Sequence, residues 1–450
     1  MHSLVKGENM SNEKLNLIEN GLKKKGINEY EIYLVDQKLY ETIFLKTEPD
    51  NERQASSFEY YIRILDQKTN ETGTGVINSS SLDPLQIEKN IDLCQRLSKL
   101  NNSSKYSFPS KKKITNITTA DEKILNDPVG IKKELSEELI SEAKNQKEVS
   151  TTFGRFRIHV NQAYLRNSNG VDLNSLSTSI FIEYALKAQK GGKLAEFWDF
   201  GYYKEIDHLN LSKRVENWAK IAKDTLIAEI PKSNDKATVI FTPSVLSEAI
   251  TPVGFHATGR AHHQKISSTN IGDMVASDNF TLYDNGLLEG GMNTRAWDAE
   301  GNARQKTEVI MNGVFKNRLY DEKYAFLEKM NSTGNARREA NGVIINGGTN
   351  YDIAAGDISL DKLISNIDDG YYINKFSWLN PDQISGNFGV EIRNGYYIKN
   401  GELSTPIKLG NVSGNVLEMI KNCLFISKER EFSGNALLPY IAFSGLDVSS

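Results

Sequence analysis

Asn-Gly pairs recur in the second half of this 450-residue chain, among them those at positions 285, 312, 341, 394 and 400. The pair supplies two successive positive φ angles, which a tight hairpin needs if its turn is to match the twist of the strands it joins. A half punctuated in this way folds mostly as β, with a sandwich or barrel-like core and a few helices. Residues 237–241 form a short apolar strand, 244–261 read as a helix, and 360–367 as a second, amphipathic one. No fixed-period repeat accompanies them.

The first half alternates differently. A short helix at 13–25 precedes segments rich in β-branched and aromatic residues at 29–46, 59–65 and 73–77, which predict an antiparallel sheet. Helices follow at 84–97 and 131–145, joined by a polar loop at 99–127. Strands return between 151 and 205, including 156–160 and 178–186, with Asn167-Ser-Asn-Gly170 as a turn. The last helix, 211–230, carries Leu211, Val215, Trp218, Ala222 and Leu226 on one face and stops at Pro231. These readings define an α+β fold: an N-terminal domain at 11–230 with an antiparallel sheet and helices, a boundary within 231–235, and a mostly β domain at 236–450.

With 54 basic and 58 acidic side chains interspersed, the net charge is −4 and no field draws in nucleic acid. Cys94 and Cys423 lie far apart without CxxC spacing, so neither a disulfide framework nor a cysteine-rich zinc site is expected, and both read as buried small hydrophobes. No segment reaches the ~18–20 apolar residues of a membrane span, and the polar start lacks a signal peptide's apolar run. The expected location is the cytoplasm. Residues 1–9 read as an unstructured leader, which leaves Met10 as an alternative start to Met1.

A series of blocks in the second half resembles the TldD/PmbA family, whose members are also called TldE or modulators of DNA gyrase. The blocks are Val275-Ala-Ser-Asp278, Asp284-Asn-Gly286, Asp298-Ala-Glu-Gly301 through Gln305, and Asn312-Gly313. They continue with Ser332-Thr-Gly-Asn-Ala-Arg-Arg-Glu339, Ser385-Gly386 and Asn400-Gly401. Their order and spacing agree with the family from 237 to 450, while the first half resembles it in layout alone. The resemblance implies a zinc-peptidase fold in which the catalytic type carries HExxxH on a helix and a cysteine ligand near the C-terminus. Zinc lowers the pKa of its bound water to ~7 only when protein ligands hold it with one position open.

Aligned on that motif, Leu246-Ser-Glu-Ala-Ile-Thr-Pro252 places Ser247 and Pro252 where the two histidines would stand, and only Glu248 matches. The stretch from Glu431 to Pro439, where the family's cysteine ligand is expected, contains no cysteine. The resemblance therefore implies the PmbA/TldE type: no zinc expected in this chain, and a TldD-like catalytic subunit, or a second copy of itself, as partner.

His256, Arg260, His262 and His263 follow the degenerate motif, and the region from Ser247 to His263 is expected to wall a peptide cleft. On a helix His256 and His263 would lie ~10 Å apart along the axis, too far to share one zinc. Glu248 reads as a capping or surface carboxylate, because without metal-bound water a general base has little to act on. Arg337 and Arg338 read equally as a clamp for a peptide carboxylate or as a structural ion pair with Glu339 or a neighbouring acid. Three functions stay open: a non-catalytic subunit of a TldD/TldE-type protease acting on unfolded or modified peptides, a self-sufficient metallopeptidase with an unconventional site, and a regulator that binds DNA gyrase.

Overall fold

In the first half, alternate residues along each strand go to opposite faces of one sheet, and the two faces are covered by different things. The computed structural model describes residues 2–450, with side chains from Ser11 onward. Seven strands, β1 (Tyr30–Leu45), β2 (Glu48–Gln67), β3 (Glu71–Ser79), β4 (Ser103–Ser104), β5 (Val149–Asn167), β6 (Asp172–Lys190) and β7 (Lys193–Tyr203), pair antiparallel in the order β4-β3-β2-β1-β5-β6-β7. Ile32, Leu34, Ile62 and Ile64 on one face meet Leu15, Ile18 and Leu22 of α1 (His2–Lys24) and Ile87, Ile91 and Cys94 of α2 (Pro84–Leu100). Farther along the same face, Phe156, Ile158, Ile180 and Ile182 pack against α3 (Glu122–Asn126), α4 (Pro128–Asn145) and α5 (Leu211–Thr225). The opposite face presents Tyr33, Tyr61 and Leu165 to Trp297 of the second half.

How closely α2 lies on the sheet is fixed by two glycines. A Cβ at Gly73 would fall 1.7 Å from the Ser98 carbonyl oxygen, and one at Gly75 would fall 1.9 Å from that of Cys94.

The second half builds on an eleven-stranded sheet, five of whose strands close on themselves. Asn234–Phe241, Asp369–Phe376, Asn387–Lys399, Asn411–Asn415 and Ala436–Ser449 form a barrel sealed by pairing of the last strand with the first, Ile441 opposite Phe241. Closure removes the open edges that such strands would otherwise expose. Phe241, Phe376, Phe388 and Phe443 fill the interior, with Phe241 edge-on to Phe443 at 5.6 Å. The final strand runs on to pair with Tyr351–Ile353, which leads to Leu282–Asn285, Lys306–Met311 and Val314–Phe315.

Several expectations are corrected. The first helix includes the stretch read as a leader, and the 99–127 loop contains β4 and α3. The helix expected to reach Ile230 ends at Thr225, because Glu229 leaves it to donate its N–H to the Pro406 carbonyl (2.9 Å). The helix expected over 244–261 is three: α6 (Pro243–Ala249), α7 (Thr251–His256) and α8 (Gly259–His263). Pro252 lacks the N–H that would continue α6, and Thr258 caps α8 by accepting from the Ala261 N–H at 3.1 Å.

Of the Asn-Gly pairs singled out above, 312–313 and 400–401 have both residues at positive φ and turn hairpins. At 341–342 only the glycine is left-handed. The pairs at 285 and 394 fall at a strand end and inside a strand, where glycine is needed for space: a Cβ at Gly286 would lie 2.9 Å from Arg304 Cβ, and one at Gly395 2.7 Å from the Tyr372 carbonyl.

Candidate functional site

Helices α6 to α8 cap the barrel, and the residues facing inward hold them there. Val245, Leu246, Ala249, Ile250, Val253 and Ala257 all belong to the barrel core. Gly254 lets α7 sit on Tyr351, whose hydroxyl would lie 2.0 Å from an added Cβ, and Gly259 does the same for α8 on Tyr320. The outward positions carry the candidate chemistry.

Each of those side chains has a partner. Ser247 donates to the Ser244 carbonyl (2.8 Å) and lies 2.9 Å from Ser433 Oγ. The Glu248 carboxylate accepts from the Leu379 N–H at 3.3 Å, and desolvation raises its pKa above the ordinary glutamate value. Pro252 is buried in α7, so Ser247 and Pro252, expected on one helix, stand on two. His256 donates from Nε2 to the Ile384 carbonyl (2.8 Å). His262 and His263 each set Nδ1 3.1 Å from a different oxygen of Glu328, in α9 (Glu322–Glu328). These histidines therefore share one carboxylate, while His256 points elsewhere.

Among the described residues no group of three or more His, Cys, Asp or Glu side chains is placed to hold a metal ion. The donor set among these residues does not fit the zinc site that the fold suggests.

The two arginines separate. Arg338 is almost fully buried: its guanidinium lies over the Tyr33 ring at 4.6 Å, donates to the Ala299 carbonyl at 2.7 Å and pairs with Glu31. Its acid is Glu31, at the join between the two halves, and not its sequence neighbour Glu339. Arg337 is exposed and 3.9 Å from Glu339. Arg260 lies on α8, whose N–H at that residue is accepted by Asn346 Oδ1 (3.1 Å), one strand from Arg337.

Sequence reasoning missed the buried charges beneath this wall. Asp284 is buried and accepts from Asn335 Nδ2 (2.7 Å) and from the Thr349 N–H and hydroxyl (2.5 and 2.9 Å). Asp298 accepts three backbone N–H groups, of Glu300, Asn302 and Ala336, at 2.9 to 3.0 Å. Burial, and then the negative charge of Glu300, push the carboxyls of Asp298 and Asp321 well above the ordinary range. Glu300 itself pairs with Arg63 of β2 at 2.9 Å, and Arg63 pairs at the same distance with Glu31 of β1. A signal existed: Asp284 and Asp298 lie within the blocks that carry the family resemblance.

Residues 234–450 match the PmbA/TldA metallopeptidase C-terminal domain. An uncharacterized protein of Methanocaldococcus jannaschii is 32% identical over 295 residues, 64% of this chain and 66% of that one. A metalloprotease TldD homolog of Buchnera aphidicola is 30% identical over 240 residues, 51% of this chain and 49% of the relative. The chain thus spans between half and two-thirds of these relatives. The crystal structure of TldE from Thermococcus kodakarensis superposes with a TM-score of 0.86 at 22% identity, covering 97% of this chain and 99% of that one. This chain belongs to the TldD/PmbA family and has its metallopeptidase-like fold.

Proposed function

We propose that this chain is a non-catalytic, substrate-handling subunit that works with a TldD-type catalytic subunit to proteolyse unfolded or modified peptides. The observation that carries the reading is the state of the segment aligned with the metal helix. It is broken between Ser247 and Pro252, and its remaining polar side chains are engaged with Ser433, Leu379, Ile384 and Glu328. Such a segment serves as wall, not as catalyst. Arg260, His256, His262 and His263 line that wall, and an extended peptide would be held chiefly through backbone hydrogen bonds, by addition to a sheet edge. The reading sets the chain in the cytoplasm, in line with two cysteines that are both buried and unpaired. No helix among the described residues is long and apolar enough to cross a membrane.

The test is metal content by mass spectrometry on the purified chain, with peptide hydrolysis assayed alone and after addition of a TldD-type partner. Substoichiometric metal and cleavage only in the mixture are expected. Stoichiometric zinc with chelator-sensitive cleavage by the chain alone would overturn the reading in favour of a self-sufficient metallopeptidase.

A further inference from the structure

Two groups of buried charge lie where the halves meet, and only one is neutralised. In the first, Arg63 and Arg338 are matched by Glu31 and Glu300. In the second, Lys204 at the end of β7 lies close enough to Arg295 and Arg304 for the three cations to repel one another. Lys204 is only 9% exposed, and among the described residues no hydrogen bond or salt bridge holds its ammonium. Arg304 donates from Nη1 to the Asn293 carbonyl, but its Nε is buried without an acceptor. Neither Arg295 nor Arg304 is in a salt bridge among the described residues.

The backbone sets these cations side by side. The Arg304 N–H donates to the Ala296 carbonyl (3.1 Å), the Arg295 N–H to that of Gly286 (3.3 Å), and the Gly286 N–H to that of Gln305 (2.9 Å). Asn350 fixes the adjoining loop, accepting from the Asn293 N–H and donating to the Asn285 carbonyl, both at 2.8 Å. The acids nearest Arg304, Asp284 and Asp298, already accept three hydrogen bonds each. A buried cationic nitrogen without a partner, as Arg304 Nε is, is costly, and folded chains ordinarily pair it.

We infer that Lys204, Arg295 and Arg304, with Arg337 at the rim, form an anion site that receives a carboxylate of the bound peptide, either its C-terminus or an acidic side chain. The inference deepens the peptide-handling reading and rests on it. Position supports the ligand class: Arg337 stands beside Gly347 and next to the strand residue Asn346 that anchors α8, so the cluster adjoins the proposed wall. Guanidinium forks take carboxylates through two parallel N–H donors, and an ammonium between them adds charge. Burial and the two neighbouring arginines push the Lys204 ammonium down to about 8, the direction expected where the counter-ion is missing.

The experiment is fluorescence anisotropy on the full chain, alone and mixed with a TldD-type subunit, using one short dye-labelled peptide in three forms. The forms are a free C-terminal acid without acidic side chains, its C-terminal amide, and the amide carrying one glutamate. At least one charged form is expected to bind roughly tenfold more tightly than the neutral amide, the gain of one charge-assisted contact. Lys204→Met and Arg304→Met should each erase that preference. Which charged form gains tells the C-terminus from a side chain.

Equal binding of all three forms, no binding of any form in either setting, or a preference that survives both substitutions would overturn the inference. So would inorganic phosphate raising the melting temperature of the native chain but not of Lys204→Met, with no preference among peptides. Folding of Lys204→Met is checked by its melting temperature, expected to be no lower than that of the native chain. No step of this test reads turnover, so failure of cleavage with the partner leaves the inference standing, and loss of the charge preference leaves the subunit reading standing.

Discussion

The join between the two halves makes the sharpest quantitative prediction, through Arg63→Met. Methionine fills much of the arginine stem and removes the charge that faces Glu31 and Glu300, each 2.9 Å from Nη2 and each 1% exposed. At an effective dielectric of ~20 a pair at that separation attracts by roughly 6 kcal/mol, most of it offset by desolvation of the ions. What the substitution leaves is the larger effect: two buried carboxylates, of which only Glu31 keeps a salt bridge among the described residues, to Arg338, a loss of about 3–5 kcal/mol. Urea denaturation at pH 7, followed by fluorescence of Trp297 and the other tryptophans, measures it. Adding Glu300→Gln should restore part of the loss, since a neutral amide no longer needs the arginine, and the double-mutant cycle isolates that coupling. A loss below about 1 kcal/mol, or strict additivity of the two substitutions, would refute the view that this network clamps the halves.

Other outcomes follow from the same physics. Asp298 and Asp321 have folded-state pKa values raised by burial and by Glu300, so they hold protons where the unfolded chain has lost them. Their contribution is fully present below the ordinary aspartate pKa and is lost as pH rises through the raised values, so the urea midpoint should climb as pH falls from 8 to 5. Lys204 acts at the other end: its folded pKa of about 8 lies below the ordinary 10.5, so its penalty is fully present below pH 8 and is relieved as pH rises to 10.5, by about 3 kcal/mol. A urea midpoint that fails to rise between pH 8 and 10, or rises equally in Lys204→Met, would contradict this. Gly75→Ala drives a Cβ into the Cys94 carbonyl, and a fall in melting temperature from a loss of more than about 3 kcal/mol is expected as α2 lifts from β3. Glu328→Gln weakens the carboxylate that His262 and His263 share, and faster hydrogen exchange along α8 with an unchanged barrel is the expected readout.

What the sequence revealed and what it hid divide along range of interaction. Strand and helix identity in the first half was legible because each element buries one face, and the period of that face is written locally in residues such as Ile32 and Leu34 or Ile87 and Ile91. The β character of the second half was legible through hairpin turns, two of which, at Asn312 and Asn400, have the expected left-handed pair. The division of 244–261 into three helices was less so. Its apolar positions continue at helical spacing through the break, and only Pro252 and Thr258 mark it. Arg338 was read from its neighbour in sequence, Glu339, while its partner Glu31 lies 307 positions away. No window carries that information. The Lys204 cluster was invisible for the same reason, being assembled from segments about ninety residues apart.

The blocks that carry the family resemblance have a physical meaning that a search for catalytic residues overlooks. Asp284 ties its strand to Asn335 and Thr349, and Asp298 ties its loop to Ala336, so two buried carboxylates fix where three loops meet under the wall. A buried carboxylate that accepts three hydrogen bonds tolerates few substitutes, since asparagine would set an N–H against a donor and an apolar residue would strand all three donors. Such positions persist in a fold whether or not a metal is held above them. The positions aligned with the family's metal helix are under the opposite constraint. Ser247 lies on the outer side of a helix whose attachment depends on Val245, Leu246 and Ala249, so exchange of a ligand there leaves the packing of the barrel intact. A chain of this fold can therefore carry other side chains there while retaining the wall, the loops and the charge beneath them. The unpaired cations at Lys204, Arg295 and Arg304 then acquire their significance by contrast with Arg63 and Arg338 in the same chain. Arg63 and Arg338 are matched by glutamates; at Lys204, Arg295 and Arg304 no such match stands among the described residues, and the missing charge is supplied by what the wall receives.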